Sequence, residues 1–153
     1  MSNPETICVS LETAKRLYEA EYDQNTVFVW CERWEDGLTV HEIELNEICY
    51  YGGCLEKYPA PTASEMLDCL PKNLFTDSVI DAGEMVGLMS NGHIKLSAIP
   101  CQNNKALYCI SYGVQKSGEY AGIDEITIEW IRDECFVEVL SQMWLHLKEK
   151  GLI

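Results

Sequence analysis

Apolar residues recur with two different periods along this 153-residue chain, and the switches between them mark out its elements. Near the C-terminus Phe136, Val139, Leu140, Met143, Trp144 and Leu147 follow the i, i+3, i+4, i+7 spacing of one helix face. That stripe predicts a final helix with Met143 and Trp144 turned onto a sheet. Asp133 stands where it can cap the helix start, and Gly151 ends it. Lys148 and Lys150 fall in the last turn, where cations favour the negative end of the helix dipole. A shorter stripe of Leu11, Ala14, Leu17 and Tyr18 follows Ser10, a natural N-cap, and predicts a helix over about residues 11 to 21. The most fully punctuated helix is the segment after Tyr58. Thr62 and Glu65 have the spacing of a capping box, Pro61 precedes the cap and Pro71 blocks further winding, which predicts a helix of about nine residues.

The period changes between these helices. Val27, Phe28, Val29, Trp30 and Cys31 are apolar on both faces, as in a strand covered on both sides or central in a sheet. Asp36-Gly37 then signals a turn, and Leu38 to Leu45 completes a hairpin. After Tyr50-Tyr51-Gly52-Gly53 the chain is expected to loop into the capped helix. Asn91-Gly92 predicts a second hairpin, between residues 85–89 and 94–99, and residues 102–105 mark a further reversal. The segment 106–114 alternates Tyr108, Ile110, Tyr112 and Val114, completing a three-stranded meander. Ile126, Ile128 and Trp130 alternate as well, in an acidic stretch that reads either as a strand or as the approach to the last helix. Strands grouped into hairpins between helices predict an α+β fold, a mostly antiparallel sheet with about three helices packed on it, as a single domain over residues 1–153.

Charge and cysteine content narrow the partners. The formal net charge of −14, with only 11 Lys and Arg, argues against nonspecific binding to nucleic acid or to an anionic membrane. No apolar run approaches the roughly 20 residues that span a bilayer, and a basic-then-apolar leader is not evident, so a cytoplasmic location is expected. In that setting Cys8, Cys31, Cys49, Cys54, Cys69, Cys101, Cys109 and Cys135 read as free thiols packed as small hydrophobes. Acid is concentrated in two stretches. Glu32, Glu35, Asp36, Glu42, Glu44 and Glu47 are opposed only by Arg33, and Glu119, Asp124, Glu125, Glu129, Asp133, Glu134 and Glu138 only by Arg132. Both read first as solvated faces, and second as a surface that docks a basic host or phage protein. A nucleic-acid mimic would need regularly spaced carboxylates, which Trp34, Val40, Ile128 and Trp130 interrupt.

Single-segment catalytic motifs fail on inspection. His41-Glu42 opens like a zinc-protease helix, but Leu45 stands where the second His is required. Lys116-Ser117 follows Gln115, where a phosphate-binding loop needs Gly. Gly-x-Ser-x-Gly, Gly-x-Gly-x-x-Gly and Cys-x-x-Cys do not occur. The remaining catalytic option is an enzyme site assembled from dispersed residues, with His41, His93 or His146 meeting a buried cysteine and a carboxylate. No catalytic residue, cofactor or metal ligand is therefore assigned from sequence. The candidate site is instead a protein-binding surface of aromatics and acids beside loops: Trp34, Tyr50, Tyr51, Tyr58, Glu32, Glu35 and Asp36.

Three segments resemble small proteins of unknown function encoded by bacteriophages and prophages of gut bacteria. They are Cys8-Val9-Ser10-Leu11-Glu12-Thr13-Ala14, the Tyr58 to Glu65 approach to the capped helix, and Met143 to Lys148 closing in Gly151-Leu152-Ile153. The resemblance implies a cytoplasmic phage or mobile-element context and supplies no activity. With the failed motifs and the acidic surface, it makes a non-enzymatic accessory or interaction protein the expected role.

Overall fold

Local capping decides where the helices begin. In a computed structural model, which describes residues 4–49, 53–74, 92–100, 102, 106–115, 123–130 and 135–153, helix α1 spans Pro4–Ile7 and α2 spans Leu11–Glu19. Ser10 caps α2 by accepting the Thr13 N–H at 3.3 Å. The capping box forms as its spacing predicts. Thr62 Oγ1 accepts the Glu65 N–H, and the Glu65 carboxylate accepts the Thr62 N–H at 2.8 Å, at the start of α4, Ala63–Cys69. The long C-terminal helix α5 is Phe136–Glu149, preceded by Cys135 at the N-cap position without a side-chain cap bond. Asp133, the expected cap, lies outside the described residues.

Helix ends are closed by backbone. At the end of α5 the Leu152 N–H donates to the Leu147 carbonyl and the Gly151 N–H to that of Lys148, around Gly151 at φ +69°. This is the Schellman arrangement, in which a left-handed residue lets two late amides satisfy two orphan carbonyls. The same pair of bonds closes α2, from Tyr22 to Leu17 and from Glu21 to Tyr18, but there the left-handed residue is Glu21, at φ +61°. An L side chain pays about 1–2 kcal/mol in that conformation, part of which glycine would return through its looser unfolded chain. Glu21→Gly is therefore expected to stabilise the protein by about 0.5–1 kcal/mol, seen as a higher denaturant midpoint at unchanged m-value. A lower midpoint would show that the Glu21 side chain contributes more than its backbone costs.

The described residues form two antiparallel sheets where the sequence pattern predicts one. The first has order β2-β1-β3, with β1 at Phe28–Glu35, β2 at Leu38–Leu45 and β3 at Glu56–Pro59. Asp36 and Gly37, at φ +49° and +81°, make the tight turn of the β1–β2 hairpin. A one-turn helix, α3 (Asn46–Cys49), follows β2. The second sheet has order β4-β5-β6-β7, from Asn73–Leu74, Gly92–Pro100, Ala106–Gln115 and Ile123–Trp130. Residues 123–130 are thus a strand, paired with β6. Gly92 pairs with Leu74, and residues 85–89, expected as a strand, lie outside the described residues.

The α+β architecture is organised around α5. It packs against α2 and α4 as well as against β6 and β7 of the second sheet, while α2 also reaches β3 of the first. Leu17, Met66, Ile110, Leu140, Met143 and Leu147 are fully buried in one cluster, to which Val9, Tyr22, Tyr58 and Trp144 belong. The Trp144 ring meets Tyr22, just past α2, edge-on at 5.0 Å between centroids. Strand β1 is covered on both faces. Trp30 packs toward the helices and donates its indole N–H to the Val9 carbonyl at 2.9 Å, while Val29 and Cys31 face a second, smaller cluster.

Candidate functional site

The small cluster beneath β1 is a meeting of cysteines. Alternation in a strand sends Val29 and Cys31 to one face and Trp30 to the other. On that face Cys31 is paired with Lys57 across β3. Cys49 closes the one-turn helix α3, and Cys54 lies just ahead of β3. Their three Sγ atoms all lie within 4.8 Å of one another, with Cys31 and Cys49 buried and Cys54 half-buried. Cys31 and Cys54 are joined as a disulfide, with Cα atoms 5.7 Å apart, and Cys49 Sγ approaches Cys31 Sγ to 3.1 Å. This corrects the reading of all eight cysteines as free thiols. The pairing of β3 with β1, which no local pattern announces, carries Cys54 back across 23 residues to Cys31.

Two features hold the thiols in place. The Leu55 N–H donates to the Glu32 carbonyl at 2.8 Å, fixing the backbone beside Cys54. Asn46 ties α3 down: its side-chain amide donates to the Gln24 and Thr26 carbonyls, its backbone N–H to the Val27 carbonyl, and its Oδ1 accepts from Lys57 Nζ. Burial, then the nearby Glu44 carboxylate, pushes the Cys49 thiol above its ordinary range, against the opposing pull of Lys57 and Arg33. Cys49 and Cys54 line a surface cleft of about 470 Å³ with Gln24, Leu55, Glu56 and Lys57. Cys8, Cys69 and Cys109 are thiols outside any disulfide. Cys8 fits the packing role, since burial pushes its thiol up to about 12.

The sequence-predicted protein-binding surface comes together only in part. Trp34, Glu35 and Asp36 sit exposed at the tip of the β1–β2 hairpin, with Leu38 beside them. Trp34 and Leu38 are 65% and 69% exposed, far more than large apolar residues that pack a core edge. Glu32 is half-buried and bonded to His41 at 2.9 Å on the neighbouring strand. Tyr58 is not a surface residue: it is buried, edge-on to Tyr18 at 5.4 Å and beneath Lys15 Nζ, because β3 turns it toward α2. Burial and the carboxylates of Glu56 and Glu32 push its hydroxyl up to about 12. Tyr50 and Tyr51 lie outside the described residues.

The acids are likewise less uniform than their run suggests. Glu44 forms an ion pair with Arg33 at 2.5 Å across the hairpin. Glu138, counted with the second acidic stretch, is buried inside the protein. Its carboxylate accepts the Ser10 N–H at 2.5 Å and the Thr13 hydroxyl at 2.6 Å. Of the dispersed histidines, His41 is engaged with Glu32, whose side chain is on the β1 face opposite Cys31, and His146 is half-buried on α5. Among the described residues, the three-cysteine cluster contains no histidine. No helix among the described residues is long and apolar enough to cross a membrane. No protein-family model, curated protein or solved structure matches this chain.

Proposed function

We propose that this chain is a non-enzymatic accessory protein of phage or mobile-element origin, acting in the cytoplasm, whose β1–β2 hairpin docks a basic protein. The observation that carries the reading is the hairpin tip, where Trp34 is exposed on one face, Leu38 and its partner Glu35 on the other, and Asp36 at the turn between them. An aromatic anchor beside carboxylates suits a partner segment that offers Lys or Arg next to an apolar side chain. Among the described residues strand β2 is also an edge of its sheet, with β1 on one side only, so an extended basic segment has a backbone to pair with. Pairing of Glu44 with Arg33 and of Glu32 with His41 breaks the row of free carboxylates that a phosphate mimic would require. An enzyme built from dispersed residues gains a thiol cluster from the fold but has no described histidine beside it.

The test is a titration of the purified protein with extended peptides of equal length, Lys/Arg-rich or Asp/Glu-rich, each carrying one aromatic residue. The basic peptide is expected to bind, more weakly as salt is added. Trp34→Ala, at an exposed position that does not support the core, should weaken it by about 2 kcal/mol or more, roughly thirtyfold. Equal binding of both peptides, indifference to Trp34→Ala, or a shift of duplex nucleic acid at micromolar protein in physiological salt would each reject this function.

A further inference from the structure

The cysteine cluster offers one donor more than a disulfide uses. A bond between Cys31 and Cys54 leaves the buried Cys49 sulfur 3.1 Å from Cys31, held there by a helix of its own. We propose that Cys31, Cys49 and Cys54, once reduced, form a trithiolate site for a thiophilic d10 cation, zinc(II), with its fourth position open to the adjoining cleft. Tetrahedral zinc with Zn–S bonds of about 2.3 Å sets its sulfurs roughly 3.8 Å apart. The three Sγ atoms already lie within 4.8 Å of one another, close to the spacing the ion needs.

The donor set selects the cation. Three sulfurs with no carboxylate among them suit zinc or copper(I) and reject magnesium and calcium, which demand oxygen. Zinc with three thiolates carries one net negative charge. Lys57, paired opposite Cys31 on β3, places a positive charge nearby, while Arg33 on the same face of β1 is paired with Glu44. Each ligand comes from a separate support: the central strand, the end of α3, and the segment pinned by the Leu55–Glu32 bond. The cleft lined by Cys49 and Cys54 gives the ion an entry path and gives its fourth position to water.

Metal and disulfide exclude each other, so reduction comes first. A small dithiol breaks the Cys31–Cys54 bond and is itself oxidised to a disulfide, its two protons passing to the Cys31 and Cys54 sulfurs. Zinc then binds three sulfurs and displaces three protons to solvent. The site is thereby open to metal under reducing conditions and closed under oxidising ones.

The test uses the full chain, reduced anaerobically and freed of reductant, then titrated with zinc(II) against a chromophoric chelator and separately with cobalt(II). One equivalent is expected to bind with sub-micromolar affinity, and cobalt should give a thiolate-to-metal charge-transfer band with tetrahedral d–d intensity. Bound zinc should protect Cys31, Cys49 and Cys54 of the wild-type chain from alkylation, read by peptide mass spectrometry, which needs no variant to fold. Cys54→Ser, at the half-buried ligand, should weaken zinc by roughly tenfold or more, since loss of even an outer partner costs that much. Cys69→Ser, at an exposed cysteine bonded to Tyr22, should leave zinc binding unchanged. Failure to bind zinc at micromolar concentration, protection of other cysteines instead, full affinity in Cys54→Ser, or a disulfide that cannot be reduced without unfolding would each overturn the site.

Discussion

Truncating Trp144 to alanine is expected to remove about 3–5 kcal/mol of stability, a large share of what holds a domain of this size together. The indole is buried, edge-on to Tyr22 with ring centroids 5.0 Å apart, and Lys148 Nζ lies 5.9 Å from its centroid. Three losses add: the transfer energy of the ring, the cavity it leaves, and the quadrupole contact with Tyr22. The cavity term should be near its upper range, because Leu140, Met143 and Leu147 on the same helix are fully buried and have little room to collapse. Equilibrium denaturation measures the loss. Trp144→Phe, which keeps an edge-to-face partner for Tyr22, should recover more than half of it. A change of less than 1 kcal/mol in Trp144→Ala would mean that α5 is not the centre of the core.

The elements legible in the sequence are those whose causes are local. The Thr62–Glu65 box, the Ser10 cap, the Asp36-Gly37 turn and the stripe from Phe136 to Leu147 each act within a few residues, and each appears close to its expected bounds. What escaped notice is short or non-local. Strand β3 has four residues and contains Pro59, which cannot donate to a ladder, and α3 is a single turn. The partition into two sheets depends on pairings between distant segments, such as β4 with β5, that no period records. The same limit explains the site. Trp34, Glu35 and Asp36 share one turn and are legible together, while the burial of Tyr58 depends on where β3 pairs.

One clue to the cysteine cluster was nevertheless present. Residues 27–31 are apolar on both faces, so the face of β1 turned away from the main core needs a cover as well. The residues that follow the hairpin at once, with Cys49 and Cys54 among them, were the nearest candidates for it. Reading cysteine as a small hydrophobe accounts for Cys8 but hides this convergence, because packing and ligation ask for the same burial.

Glu138 carries the second large effect. Its charge places it with the solvated acids of the sequence, yet it is 1% exposed and joins α5 to the start of α2, accepting from the Ser10 N–H and the Thr13 hydroxyl. Removing the carboxylate leaves a buried hydroxyl and a half-buried amide without their acceptor, so Glu138→Ala is expected to cost about 2–5 kcal/mol, the sum of two unmet groups and a cavity. Glu138→Gln should cost less, because its amide oxygen still accepts from Ser10 and the Thr13 hydroxyl can turn to accept from the amide nitrogen. Thr13→Val alone leaves one carboxylate oxygen unmet. Combined with Glu138→Leu, it replaces both polar partners by apolar groups, and the double variant should be more stable than the sum of the two single changes by about 1–2 kcal/mol. Strict additivity in that cycle would mean that Glu138 reaches solvent and that its bonds do not hold α2 against α5.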